Sequence, residues 1–191
     1  MMTPIRLSLA AIGAALAALL LLSPGAATAA SRAEIDRDAH AALQNLYGSI
    51  PAAKILGEKA KAILVFPSII KGGFIFGGQF GDGALIKRGK TVGYYNSLAA
   101  SYGLQAGIQE FGYAMFFMTE SALAYLDQSD GFEVGVGPSI VIVDQDTAAA
   151  YAKTLTTSTL QKDIYAFVFS QKGLMAGLGL QGSKITRIYP E

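Results

Sequence analysis

Ile164-Tyr165-Ala166-Phe167-Val168-Phe169 is a run without a charged residue in which aromatic and aliphatic side chains alternate. Successive side chains of a strand point to opposite faces. Tyr165, Phe167 and Phe169 therefore line one face, and Ile164, Ala166 and Val168 the other. Both faces are apolar, so a sheet built from such strands must be covered on both sides. Residues 170–173 read as a turn into a second strand carrying Leu174, Ala176, Leu178 and Leu180.

The two-sided pattern recurs upstream. Ala62-Ile63-Leu64-Val65-Phe66 is an apolar run closed by Pro67. Phe74 and Phe76 alternate with Ile75 and Gly77, and Ala84, Ile86 and Arg88 with Leu85 and Lys87. Arg88-Gly89-Lys90 reads as a hairpin turn into Val92, Tyr94 and Asn96. Tyr113, Met115 and Phe117 oppose Ala114, Phe116 and Met118. Strand pattern returns at Phe132, Val134 and Val136, then at residues 140–143.

Helical periodicity precedes all of this. Ile35, Ala39, Ala42, Leu43 and Leu46 recur at three- and four-residue intervals over residues 32–47, opposite Asp36, Arg37, His40 and Gln44. Gly48 ends that helix, Ser49 caps the next, and Pro51 takes its first turn. The second helix, residues 51–61, carries Lys54, Lys59 and Lys61. Brief helices are expected over residues 122–126, capped by Thr119 or Ser121, and over residues 148–153, capped by Asp146 or Thr147. The pattern predicts an α+β fold: a curled, mainly antiparallel sheet, a partial barrel, packed with N-terminal helices. Glycines at 77, 135, 177 and 179 permit close approach or bending.

The N-terminus reads as a leader. Arg6 precedes an apolar run over residues 7–22, Pro24 and Gly25 break it, and Ala27-Thr28-Ala29 offers a small-residue cleavage site. The run is about 16 residues, short of the roughly 20 that span a bilayer. The expectation is a signal peptide over residues 1–29, a single domain over residues 30–191, and a periplasmic or secreted, peripherally membrane-associated protein. The runner-up is a retained anchor. Arg6 is the only charge in the leader, so 14 of the chain's 15 cationic side chains remain against its 14 acids. That balance argues against nucleic acid, which is bound by clustered cations. The chain has no cysteine, hence no disulfide, thiolate ligand, cysteine nucleophile or cysteine-borne acyl anchor.

The catalytic templates fail one by one. Gly177-Leu178-Gly179-Leu180-Gln181-Gly182 has the letters of a dinucleotide motif, but the chain given ends at Glu191, before a second strand and an acidic residue some 20 positions on. Ser68 and Lys71 have the spacing of a serine–lysine pair, yet Pro67 and the following glycines place them in a turn rather than at a helix start. Asp144 and Asp146 lack the rest of a calcium loop and read as caps. His40 is the sole histidine, and Glu110, Glu120 and Glu133 fall near strand ends. No catalytic, metal or cofactor-binding residue is assigned.

From Ile50 onward the chain resembles the SYLF lipid-binding family. The resemblance is carried by Ile50-Pro51 with Ala60-Lys61-Ala62-Ile63, Lys71-Gly72-Gly73-Phe74, Gly81-Asp82-Gly83-Ala84, Gly103-Leu104-Gln105-Ala106-Gly107 and Glu133-Val134-Gly135-Val136-Gly137-Pro138. Asp163-Ile164-Tyr165-Ala166, Lys172-Gly173-Leu174-Met175-Ala176-Gly177 and Gln181-Gly182-Ser183 resemble its C-terminal hairpin. The resemblance implies a non-enzymatic domain that binds anionic phospholipid membrane surfaces through basic residues and an amphipathic N-terminal helix. Its actin-regulating partners are not carried over, because the leader directs the chain away from actin. The central segment has no tryptophan, and no arginine precedes Lys172. Beside the resemblance, the expected lipid-binding residues are Lys54, Lys59, Lys61, Lys71, Lys87 and Arg88. Two alternatives stay open: a ligand carrier or hydrolase with a pocket between sheet and helices, and a small outer-membrane barrel.

Overall fold

The computed structural model describes residues 30–73, 76–102, 107–128, 132–133, 137–143, 162–173 and 183–191. Along them run α1 (Arg32–Ser49), α2 (Pro51–Lys59), β1 (Ala62–Gly73), β2 (Phe76–Lys87), β3 (Lys90–Tyr102) and β4 (Gly107–Phe117). There follow α3 (Glu120–Gln128), β5 (Phe132–Glu133), β6 (Ile140–Val143), β7 (Ile164–Gly173) and β8 (Lys184–Ile188). The strands form one eight-stranded sheet in the order β5-β8-β3-β2-β1-β4-β7-β6. Every pairing is antiparallel except β6 with β7. The fold is α+β, as the alternation predicts.

One ring contact shows how far the sheet curls. β5 and β4 are its first and sixth strands, which a flat sheet would hold roughly 24 Å apart. Yet the rings of Phe132 and Phe117 lie 6.5 Å apart. The inner face closes around α3: Leu64, Phe66, Leu85, Met115, Phe117 and Ile185 pack with its Ala122, Leu123 and Leu126. Tyr95 secures this helix, its hydroxyl donating to Asp127 at 2.6 Å. Burial first, and that carboxylate second, push the Tyr95 phenol well above its ordinary range.

The outer face takes the N-terminal helices. Ile63, Val65, Ala84, Ile86, Ala114, Phe116 and Phe167 lie beneath Ile35, Ala39, Leu43 and Leu46 of α1 and Ala52, Ala53 and Leu56 of α2. Ser31 and Glu34 start α1 with a reciprocal capping box, which satisfies amides that the first turn leaves free.

Several boundaries depart from the sequence expectations. Pro67 does not close β1. The strand bulges there, with register breaks between Phe66 and Ile69 against β4, and proline's missing N–H is tolerated at a bulge. Gly83 makes room for that bulge, since a Cβ on it would come within 2.6 Å of Phe66 and nearer still to the Val65 carbonyl. Ser49 belongs to α1, where its hydroxyl donates to the Asn45 carbonyl at 2.8 Å, and α2 starts from Ile50 without a side-chain cap. α2 stops at Lys59, short of Lys61. The expected turn at residues 170–173 is strand, with Ser170 at positive φ beside a register shift. The expected strand at residues 174–180 and helix at 148–153 lie outside the described residues, as do Gly135, Gly177 and Gly179. The turn between β2 and β3 is Arg88-Gly89, both at positive φ, the geometry that suits a two-residue hairpin.

Two predictions concern packing and linkage. Phe117→Ala should cost about 3–5 kcal/mol in urea unfolding, while Ile70→Ala on the uncovered outer face should stay within about 0.5 kcal/mol. Asp163 accepts hydrogen bonds from the Ser139 amide (3.0 Å) and hydroxyl (2.8 Å) and from the Thr119 hydroxyl (3.3 Å). Those from Ser139 are the main cause holding its carboxyl below the ordinary 3.8. A depressed folded-state pKa stabilises the fold above the unfolded value, and the benefit fades as pH falls through the folded one. Parent and Asp163→Asn should therefore differ in melting temperature at pH 6, and the gap should close only as pH falls from about 4 through the lower folded-state value. A gap independent of pH would contradict that role.

Candidate functional site

The six cations expected to meet lipid divide between two ends of the sheet. Lys61 donates its amide to the Phe117 carbonyl, which puts it at the start of β1. Lys87 ends β2, Arg88 occupies the turn, and Ile63 pairs with Ile86 between them. Lys54 and Lys59 lie on α2 and are exposed, as are Lys61 and Arg88. Among the described residues none of these five joins an ion pair; the bridges there are Arg37–Asp38 and Arg187–Asp127.

Lys71 is elsewhere. It lies near the far end of β1, roughly 30 Å from Lys61 at the rise of a strand. It is buried on the inner face, in register with Gln79 of β2 and Gln109 of β4. Beside it Gln79 donates to the Ser183 hydroxyl at 2.7 Å, and the Gln109 side-chain Oε1 is buried without a partner among the described residues. Burial of this lysine was not legible in the sequence, because the bulge at Pro67 decides which face follows it.

The amphipathic stripe of α1 is also committed. Ile35, Ala39, Leu43 and Leu46 are at most 4% exposed, all of them against the sheet. The N-terminal helix thus offers a bilayer its polar side only. Exposed apolar side chains occur instead on the sheet, where Ile70, Phe80, Leu98 and Ile108 share the outer face beyond α1. The sequence hinted at this only through glycines that interrupt the strands.

The catalytic templates are separated by geometry. The Ser68 hydroxyl donates to Glu110 at 2.8 Å, whereas Lys71 is buried on the inner face, so they form no nucleophile–base pair. His40 sits 3.3 Å from the Thr91 hydroxyl in a cavity of about 300 Å³ between α1, α2 and the β2–β3 turn, with Tyr47, Glu58 and Arg88. Burial, then the Glu58 charge, push the Tyr47 phenol up to about 12. A second surface cavity, about 260 Å³, has Asp38 and Glu110 on its walls. Asp38 is paired with Arg37 at 2.8 Å and Glu110 with Ser68, so neither is poised as a general acid. Glu133 pairs in register with Lys184, and Glu120 starts α3; neither lines either cavity. Among the described residues there is no group of three or more His, Asp or Glu placed to hold a metal, and no helix long and apolar enough to cross a membrane. Asp144 and Asp146 lie outside the described residues.

A family model described as Ysc84, Las17-binding protein actin regulator, matches residues 98–189. This is the SYLF family, which the glycine-rich strings of the sequence resemble. The matched stretch begins within β3 and runs past β8, and its description is that of a binding domain. No curated protein matches the chain.

Proposed function

We propose that this is a non-enzymatic, peripheral lipid-binding protein that docks on anionic phospholipid surfaces, outside the cytoplasm, after loss of residues 1–29. The observation that carries the proposal is the gathering of Lys54, Lys59, Lys61, Lys87 and Arg88 toward one end of the molecule, without an ion pair among the described residues. Lys90, paired with Lys87 across the turn, adds to that end. A cation near an anionic leaflet contributes roughly 1 kcal/mol. A handful on one end is enough for reversible attachment that salt weakens. Lys71 has no part in this contact, being buried at the other end of its strand.

Family membership supports a binding role, and the carboxylates of the surface cavities are partnered or isolated rather than paired for acid–base work. Actin regulation, which the family description names, does not fit an exported chain.

Co-sedimentation with liposomes tests the proposal. Vesicles containing phosphatidylglycerol should pellet the protein more than neutral ones, and rising salt should release that excess. The triple change Lys54→Glu, Lys59→Glu and Lys61→Glu should weaken the anionic preference at least roughly tenfold. These side chains are exposed, so thermal stability should hardly move. A mutant that binds like the parent would refute the assignment of the basic end.

A further inference from the structure

α1 leaves part of the outer sheet face exposed. Its flank reaches the level of Pro67, Glu110 and Lys172, where Ala41 and Asn45 border a cavity with them. Level with Glu110, to one side of that cavity, Leu98, Phe80 and Ile70 are consecutive register partners on β3, β2 and β1. They are 57%, 52% and 56% exposed. One row further out, Ala100, Gly78, Gly72 and Ile108 are partners in the same way, and Ile108 is 71% exposed. Scattered apolar side chains are ordinary on a surface, but a contiguous patch of them marks a contact.

Charges around the patch follow an order. The outermost row has none. In the next, each side of Leu98–Phe80–Ile70 ends in opposed charges: Lys184 in register with Glu133, and Glu110 with Lys172. A row closer to α1, Asp82 is held by the Asn96 amide at 2.8 Å. From the open end inward, the surface passes from apolar, through balanced pairs of charges, to polar groups bonded among themselves. A bilayer has the same order from its acyl boundary, through the ammonium and phosphate layer, to water.

We infer that this ledge is a second membrane-contact surface, one that enters the headgroup–acyl boundary of zwitterionic bilayers open-end first. Ile108, Ile70, Phe80 and Leu98 supply the buried area, and Lys172 and Lys184 keep their ammonium heads at phosphate level while their stems lie along apolar surface. The inference rests on the lipid-surface proposal but needs no net charge on the lipid. The ledge lies roughly 23 Å along β2 from Lys87, so the two contacts are separable. Attachment through the basic end is lost in salt; insertion of the ledge is not.

The chain contains no tryptophan, which makes a single reporter clean. Phe80→Trp should shift its emission to the blue on zwitterionic phosphatidylcholine vesicles at high salt and be quenched by lipids brominated on the acyl chain. Val92→Trp, exposed near the other end of β3, should do neither. Adding Leu98→Asp to the Phe80→Trp reporter should weaken neutral-vesicle binding at least roughly tenfold. Its circular dichroism should stay that of the parent. An unshifted Phe80→Trp reporter on neutral and anionic vesicles alike, with anionic co-sedimentation intact, would overturn the ledge and leave the basic end standing. A blue shift that grows with protein concentration in the absence of lipid would also overturn it, in favour of contact between copies. Failure to pellet with any vesicle would remove both surfaces.

Discussion

Phe116 and Phe117 are neighbours in β4, point to opposite sides of the sheet, and are both fully buried. That single pair states the constraint on the whole molecule: a sheet apolar on both faces has to be sealed twice. Each buried aromatic contributes a few kcal/mol through the area it removes from water, and neither side can be left wet. The inner side is sealed by curvature, which brings Phe132 of one edge onto Phe117 and closes both around α3. The outer side is sealed from outside, by α1 and α2.

The second seal has a functional consequence. An amphipathic helix can serve the sheet or a bilayer, and α1 serves the sheet. Its apolar stripe is spent in the core, so the hydrophobic part of any membrane contact must come from another element. The sheet offers a candidate, because α1 leaves Ile70, Phe80, Leu98 and Ile108 exposed on it. What remains is an exposed apolar strip at one end and, among the described residues, a group of cations without an ion pair at the other. In the contacts proposed above, the two ends would differ in the force they use, one electrostatic and screened by salt, the other hydrophobic and not. The SYLF match over residues 98–189 includes Leu98 and Ile108 of the strip, and α3, but not α1 or α2.

Legibility in the sequence follows the range of the interactions concerned. The stripe of α1, the turn at Arg88-Gly89 and the two-sided strands were readable, because periodicity and local turn chemistry are properties of neighbouring residues. A cap for α3 at Thr119 or Ser121 was readable for the same reason; it is Thr119, whose hydroxyl accepts from the Ala122 amide at 3.2 Å. The bulge at Pro67 was not. It arises from pairing with two other strands, and it decides that Lys71 turns inward and Ile70 outward. The parallel partnership of β6 with β7 and the placement of β8 beside β3, rather than β7, are likewise matters of long-range order. The lysines were legible as charges. Which of them share an end was not, since that depends on strand length and register.

The absence of cysteine in the chain permits the most direct measurement of the two-seal architecture, the reactivity of single introduced thiols. Leu98→Cys should react with a water-soluble maleimide at nearly the rate of a free thiol and become protected when vesicles are added. Ala39→Cys, on the sheet-facing side of α1, should remain unreactive in both conditions. If Ala39→Cys were the thiol that reacts freely in solution and is shielded by vesicles, α1 would be the lipid-seeking element, and the division of the outer face described above would be wrong.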